Sequence, residues 1–365
     1  MSETILSEIL KAGVDEGASD WHIKEGSKVV FRISGSLAET DYEIDHDFMT
    51  KAVSQLLSEK LQAEYEERGD VDFAFVEDGV GRFRANLHRQ RGLTCMTLRY
   101  VQPEVPSREK LQLPESVQGI ATAQAGVIFV TGATGSGKST TMGCMIEHLN
   151  HEDSRHIVTI EDPIEYSFND QECVIEQREV GLDCESFGSA LTHVLRQDPD
   201  VIVIGEMRDR ETFETALAAS ETGHLVITTL HTRTAYQSLN RVLDMYQQDE
   251  RESLRRALAS NLKAVICQRL LPNVTGDGMV PAVEVMINTP VVADLIDEGK
   301  LDKLDQAIEA GEKEGMISFN KSLLGLVNEG LVSEEDALAA SDNAEELRMH
   351  MRGIFLSSEG GIIDG

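Results

Sequence analysis

The sequence predicts an α/β protein in two parts: a smaller mixed α+β unit, then a larger unit built on a mainly parallel sheet. Three observations predict it. After residue 115, short β-branched runs (VIFV at 127, IVTI at 157, VIVI at 201, LVITTL at 225) alternate with helix-compatible stretches. Continuous apolar runs of this kind are how strands covered on both faces read. Before residue 100 the pattern differs: Phe83, Ala85 and Leu87 alternate with Arg82, Arg84, Asn86 and His88, which marks a strand with one polar face. Between the two regimes Pro103, Pro106 and Pro114 fall close together, as in an inter-domain linker.

Taken in order, Ile5, Leu6, Ile9 and Leu10 fit one face of a short amphipathic helix. Phe31 and Ile33 flank Arg32 in a strand that ends at Gly35. The strand holding Phe83 meets a turn near Arg91–Gly92 and a second strand runs on to Tyr100, which predicts a hairpin. The expected divisions are an N-terminal domain over 1–102, a linker over 103–114, a large domain with C-terminal helices over 115–355, and a flexible tail over 356–365. Residues 116–137 carry no charge, a length sufficient to span a bilayer. Gln118, Gln124 and the repeated glycines and threonines point instead to a short helix, a strand and a loop.

Length and composition narrow the function. A chain of 365 residues corresponds to two or three domains, and 41% hydrophobic with 27% charged residues is an ordinary globular balance. Lysine and arginine total 33 against 64 acids, for a net charge of −31. Such a field repels nucleic acid and disfavours a dedicated DNA-binding role. Cys95, Cys144, Cys173, Cys184 and Cys267 form no C-x-x-C pair, so a disulfide framework or structural zinc is not expected and a reducing compartment is. The start, MSETILSEIL, is acidic and lacks the features of a signal peptide. One segment is basic: residues 79–103 contain no acid and hold Arg82, Arg84, Arg89, Arg91 and Arg99. They read either as a strand face paired with the protein's own acids or as phosphate contacts. Arginines delivered to a phosphoryl site raise rates by about 10³–10⁵. If a neighbouring subunit supplied them, a ring or other oligomer would be required. Nucleic-acid contact is less well supported, because only Phe83 and Tyr100 supply aromatic faces here.

The sharpest motif is Gly132, Ala133, Thr134, Gly135, Ser136, Gly137, Lys138, Ser139, followed by Thr140. It matches G-x-x-x-x-G-K-[ST] and follows a strand and precedes a helix, where backbone N–H groups can wrap phosphates. A glycine-rich turn that matches by chance would lack those flanks. Lys138 would reach the β- and γ-phosphates of ATP and Ser139 would hold Mg2+. Two further strands run into acids, Glu161 and Asp162 after IVTI, and Glu206 after VIVI and Gly205. Ligands bind beyond the carboxyl ends of parallel strands. The usual Walker-B aspartate is replaced by Gly205, so Glu206 is the expected activator of water, with Glu161 and Asp162 in the metal or water shell. His224 and His231 bracket LVITTL. They are either packed or exposed histidines or a γ-phosphate sensor, and His231, which follows the strand, should lie nearer the ligand edge.

In this order, GATGSGKST, TIEDPIEY, IGEMRD and TGHLVITTLHT resemble the secretion-ATPase superfamily, which includes type II secretion ATPases, and within it the PilT/PilU type of pilus retraction motor. Ala18, Ser19 and Asp20 near the start and QREVGLD at 177 extend the likeness over nearly the whole chain. The resemblance implies a PAS-like N-terminal domain, a RecA-like ATPase domain, and a cytoplasmic homohexamer that works with Mg2+ and ATP on an inner-membrane pilus platform protein. It also implies that Lys138 and Ser139 belong to the Walker A box and Glu161 and Asp162 to the Asp box. Glu206 would then be the Walker B acid, His224 and His231 the His box, and Arg82, Arg84, Arg91 and Arg99 the arginine-bearing strands that close over nucleotide. Pilus-assembly and type II secretion ATPases share these boxes, but nothing like their extra N-terminal module precedes residue 1 and LPNVTGDGMVP at 271–281 lacks their four-cysteine loop. After INTP at 287–290 stands VVADLIDEG, without the arginine of an AIRNLIRE-like helix. That departure resembles PilU and points to a second retraction motor as partner. A nucleic-acid motor and a non-hydrolysing regulator of another motor's ring are the competing classes.

Overall fold

The computed structural model describes residues 5–276, 278–356 and 362–364. It divides into two units: Met1–Glu104 with Glu165–Phe168, and Val105–Ile164 with Asn169–Gly365.

The first unit is an all-antiparallel sheet of six strands: β1 (Ala18–Lys24), β2 (Ser27–Ile33), β3 (Ser36–Ile44), β4 (Asp70–Glu77), β5 (Gly81–Gln90) and β6 (Leu93–Tyr100). They lie in the order β3-β2-β1-β6-β5-β4. The expected hairpin is β5–β6, and its two-residue turn places Arg91 at φ +53° and Gly92 at φ +80°. Such a turn matches the twist of the strands it joins. The alternation read in β5 buries Phe83, Ala85 and Leu87. The helix Ile5–Asp15 buries Leu6, Ile9 and Leu10 and leaves Ile5 exposed. The segment 165–168 returns to this unit from the middle of the chain, and Tyr166 bridges to Gln102.

Trp21 centres this core. It is fully buried, its ring meets Phe31 and Phe83 edge-on at 5.7 and 5.3 Å, and its indole N–H donates to the Ile9 carbonyl at 3.1 Å. The helix comes this close because Gly13 has no side chain: a Cβ there would stand 2.4 Å from the indole. Gly→Ala within a helix ordinarily gains up to about 1 kcal/mol, but overpacking a core costs about 1–3 kcal/mol. Gly13→Ala is therefore expected to lower the unfolding midpoint of this unit in urea, followed by the fluorescence of Trp21, the only tryptophan. An unchanged or raised midpoint would refute this packing.

The second unit holds β7 (Gly126–Thr131), β8 (His156–Glu161), β9 (Val174–Glu179), β10 (Val201–Ile204), β11 (Leu225–Leu230), β12 (Leu262–Pro272) and β13 (Met279–Ile287). Their order is β13-β12-β7-β11-β10-β8-β9. Every pairing is parallel except that of the edge strand β13 with β12. All residues of β7, β10 and β11 are buried, as their unbroken apolar runs predict. The uncharged stretch becomes the helix Glu115–Ala121, β7 and the loop that follows. Among the described residues no helix is long and apolar enough to cross a membrane. The C-terminal helices add Leu304, Leu323 and Leu347 to this unit's core. Of the tail expected over 356–365, residues 357–361 and 365 lie outside the described residues. Its described residues, Leu356 and Ile362–Asp364, take part in an antiparallel pairing of the strand Ile354–Leu356 with the strand Ile362–Asp364.

Candidate active site

The phosphate loop joins β7 to the helix Lys138–Glu152, whose N-cap is Gly137. Its glycines answer steric demands. A Cβ on Gly132 would stand 2.3 Å from Ser136 Oγ and 2.6 Å from the Gln268 carbonyl, and one on Gly137 2.7 Å from Gln268 Nε2. Ser136 is buried within the loop and its hydroxyl has no hydrogen-bond partner among the described residues. Ala133, Thr134 and Gly135 form the exposed crest, while Ser139 and Thr140 open the helix, half-buried. The Lys138 ammonium donates to the carbonyls of Gly132 and Ala133, both at 3.0 Å. A cradle that side chains would fill, an unpartnered buried hydroxyl and an ammonium folded over the loop together fit a chain of phosphates.

The neighbouring strands end in line with this loop. Ile204 of β10 pairs with Ile160 of β8 and Thr228 of β11, and Leu230 of β11 pairs with Thr131 of β7. Glu206 therefore meets His231: Nε2 of the ring lies 2.8 Å from Glu206 Oε1. Arg208 donates to the other oxygen at 2.6 Å. Arg208 first, with His231 adding to it against the opposing effect of burial, holds the Glu206 carboxyl below its usual range, so it is ionised at neutral pH. Gly205 is tight, with a Cβ there 3.3 Å from the Ile160 carbonyl, which disfavours a Walker-B aspartate at this position. Glu161 accepts from Thr159 Oγ1 at 2.6 Å and Gln177 Nε2 at 3.1 Å. Asp162 is exposed beside it.

The family model described as "Type II/IV secretion system protein" matches residues 1–294. The chain belongs to that family. Among members of this type II/IV secretion family, the chain is 38% identical to "Type IV pilus ATPase PilU" of Pseudomonas aeruginosa, over 95% of this chain and 91% of that one. It is also 38% identical to "Type IV pilus retractation ATPase PilT" of the same organism, over 91% and 96%. A solved structure titled "Crystal Structure of the Pilus Retraction Motor PilT and Bound ADP" superposes with a TM-score of 0.86 at 43% identity, covering 95% of this chain and 99% of that one.

Within the second unit, the secretion-family fold does not bring both expected histidines to this edge. His224 precedes β11, so it sits at the amino end of the strand whose carboxyl end carries His231. A six-residue strand separates the two by about 20 Å. There His224 Nδ1 lies 2.9 Å from the Ala219 carbonyl and 3.2 Å from Thr222 Oγ1, a local turn contact. The arginines belong to the first unit. Arg84 and Arg99 stand opposite each other on β5 and β6. Arg99 Nε donates to Asp20 Oδ1 at 2.8 Å while the side chain stays largely exposed. Arg82 is half-buried, Arg91 is exposed at the hairpin turn, and Arg89 lies over the Tyr65 ring at 5.1 Å.

Sequence reading passed over several contributors. Gln268 is buried on β12, where its amide oxygen accepts from Thr141 Oγ1 at 2.7 Å beneath the phosphate loop. Its signal was a lone amide in the apolar run VICQRLL. Arg208 and Gln177 lie within the quoted boxes IGEMRD and QREVGLD, but nothing in local spacing assigns them to particular carboxylates.

Proposed function

We propose that the chain hydrolyses ATP as the homohexameric motor of type IV pilus retraction. In this reading it pulls on an inner-membrane platform protein from the cytoplasmic face, with a second retraction motor as partner. Membership of the family supports ATP hydrolysis as its activity. The observation that carries the pilus reading is the end-to-end match to PilU and PilT. The helix Pro290–Asp297 (PVVADLID) contains no arginine, which supports the partner.

Gly132 to Thr140 bind the triphosphate and Lys138 neutralises its outer phosphates. Mg2+ held with ATP would offset charge on the phosphate oxygens. The hydroxyl of Ser139 and the carboxylate of Asp162 are the hard oxygen donors that fit it. Glu206, ionised by its neighbours, orients the attacking water and takes its proton. Glu161 supports the water shell, and His231 reports the state of Glu206 to the loop that follows. Arg82, Arg84, Arg91 and Arg99 contribute guanidinium groups to nucleotide in the ring. His224, tied into a turn at the far end of β11, takes no part in the chemistry.

ATP turnover per subunit, measured against protein concentration with and without DNA, tests this. Turnover that rises steeply with concentration and ignores DNA is the expected result. A flat rate in a confirmed monomer would overturn the ring, and stimulation by DNA would favour a nucleic-acid motor.

A further inference from the structure

A polar cluster with no role in the site described above is buried where β7, β12 and β13 meet the helix Ala235–Leu243. Across three strands, Thr131 of β7 pairs with Cys267 of β12, and Cys267 with Glu284 of β13. Paired residues project to the same face of a sheet, and here that face meets the start of the helix Ala235–Leu243. Glu284 Oε1 accepts the N–H of Ala235, the first residue of that helix, at 2.8 Å. One turn on, Ser238 Oγ lies 2.7 Å from Thr232 Oγ1 and 3.5 Å from Thr131 Oγ1. Thr131, Cys267 and Ser238 are wholly buried and Glu284 is 6% exposed.

A buried carboxyl is expensive unless its hydrogen bonds are made. Arg269, the nearby cation, pairs with Asp342. Burial pushes Glu284 up to about 7, while the Ala235 N–H, the Cys267 thiol and Arg269 pull it down and Asp305 adds to the rise. An apolar residue would pack here at less cost, so the acid has polar work to do. The cluster shows what that is. Thr131 immediately precedes Gly132, and Thr232 immediately follows His231. The segment that Glu284 grips therefore leads directly to the histidine that meets Glu206.

We propose that Glu284 is a positioning residue for hydrolysis: by holding the amino end of the helix Ala235–Leu243, it sets the 231–234 segment, and so His231 against Glu206, in register with the phosphate loop. The proposal rests on the ATPase reading above and adds a residue to it.

The test uses the full chain with three variants. Glu284→Gln keeps an acceptor for the Ala235 N–H. Glu284→Ala removes it. Ala235→Pro removes the donor and keeps the acid in the chain, its ring Cδ displacing the carboxyl from the 2.8 Å contact, while the backbone itself tolerates it, since proline suits the first helical position and Thr234 is already extended at φ −139°, ψ 161°. Glu284→Gln should keep kcat within about twofold, and the other two should each lose about tenfold or more in kcat with KM for ATP nearly unchanged, the pattern of an interaction made in the transition state. Thermal unfolding corrects each rate for folded protein. If Glu284→Ala fails to fold, Ala235→Pro decides. Full kcat in Ala235→Pro, a raised KM with kcat intact, or Glu284→Gln as damaging as Glu284→Ala would each overturn the proposal. A parent chain that binds ATP without turning it over would sink the ATPase reading instead. Glu284 is then judged on the ring resonances of His231, which must shift in Ala235→Pro if the contact with Glu206 depends on this grip.

Discussion

Glu206→Gln is expected to bind ATP as the parent does and to turn it over about 10²–10⁴ times more slowly, the range ascribed to a positioned general base. The geometry separates two contributions. Arg208 at 2.6 Å and His231 at 2.8 Å fix the side chain, and a glutamine amide can keep much of that placement. What it cannot do is accept a proton. A carboxyl held below its usual range by Arg208 is a weak base but a fully ionised one, so its value lies in being charged and aimed at the attacking water. Glu206→Ala, which loses both aim and charge, should be at least as slow. Single-turnover measurement at saturating ATP separates this loss from any change in binding. A Glu206→Gln variant that hydrolyses at the parent rate would remove Glu206 from the chemistry and turn attention to Glu161.

Gly132→Ala should weaken nucleotide binding by about tenfold to 10²-fold, the overpacking cost of about 1–3 kcal/mol taken out of affinity. Gly135→Ala, in the same loop, should do less. Both glycines have positive φ, +153° and +77°. An added Cβ at Gly135 meets nothing within 4 Å, so the penalty there is the left-handed backbone alone, about 1–2 kcal/mol. At Gly132 it collides with Ser136 Oγ and with the Gln268 carbonyl. The carbonyl belongs to the backbone of β12, which is paired on both sides, to β13 and β7, and cannot yield, so the loop must. Calorimetric titration with ATP on both variants, beside far-UV dichroism to confirm the fold, checks the contrast. Equal losses in the two would mean that backbone conformation, not the close approach of Gln268, shapes the loop.

Much of this was legible in residue order because the chemistry is local. The phosphate loop is a contiguous string, the buried strands are unbroken apolar runs, and the β5–β6 hairpin shows as alternation across a two-residue turn. The remainder depends on register between distant segments. Gln268 and Glu284 each look like a stray polar residue in an apolar strand, and only the pairing of β7 with β12 and of β12 with β13 places Gln268 under the phosphate loop and Glu284 at the start of the helix Ala235–Leu243. The histidines, by contrast, separate by order alone: His224 precedes β11 and His231 follows it, so strand direction puts His231 at the ligand edge and His224 at the opposite end.

The return of residues 165–168 to the first unit gives the chain an unusual connectivity. β8 ends at Glu161, Ile164 is still counted with the second unit, and Glu165 already belongs to the first. The backbone thus passes between the units three times, and one passage begins just beyond the two acids of the candidate metal and water shell. A pull on residues 1–104 reaches the end of β8 through the bridge of Tyr166 to Gln102 and the Ser167 N–H donated to the Gln102 carbonyl at 3.3 Å, a hydrogen-bonded coupling close behind Glu161 in the chain. Cutting the chain within 103–114 would leave the N-terminal piece joined to residues 165–168 by that hydrogen-bonded bridge and packing alone.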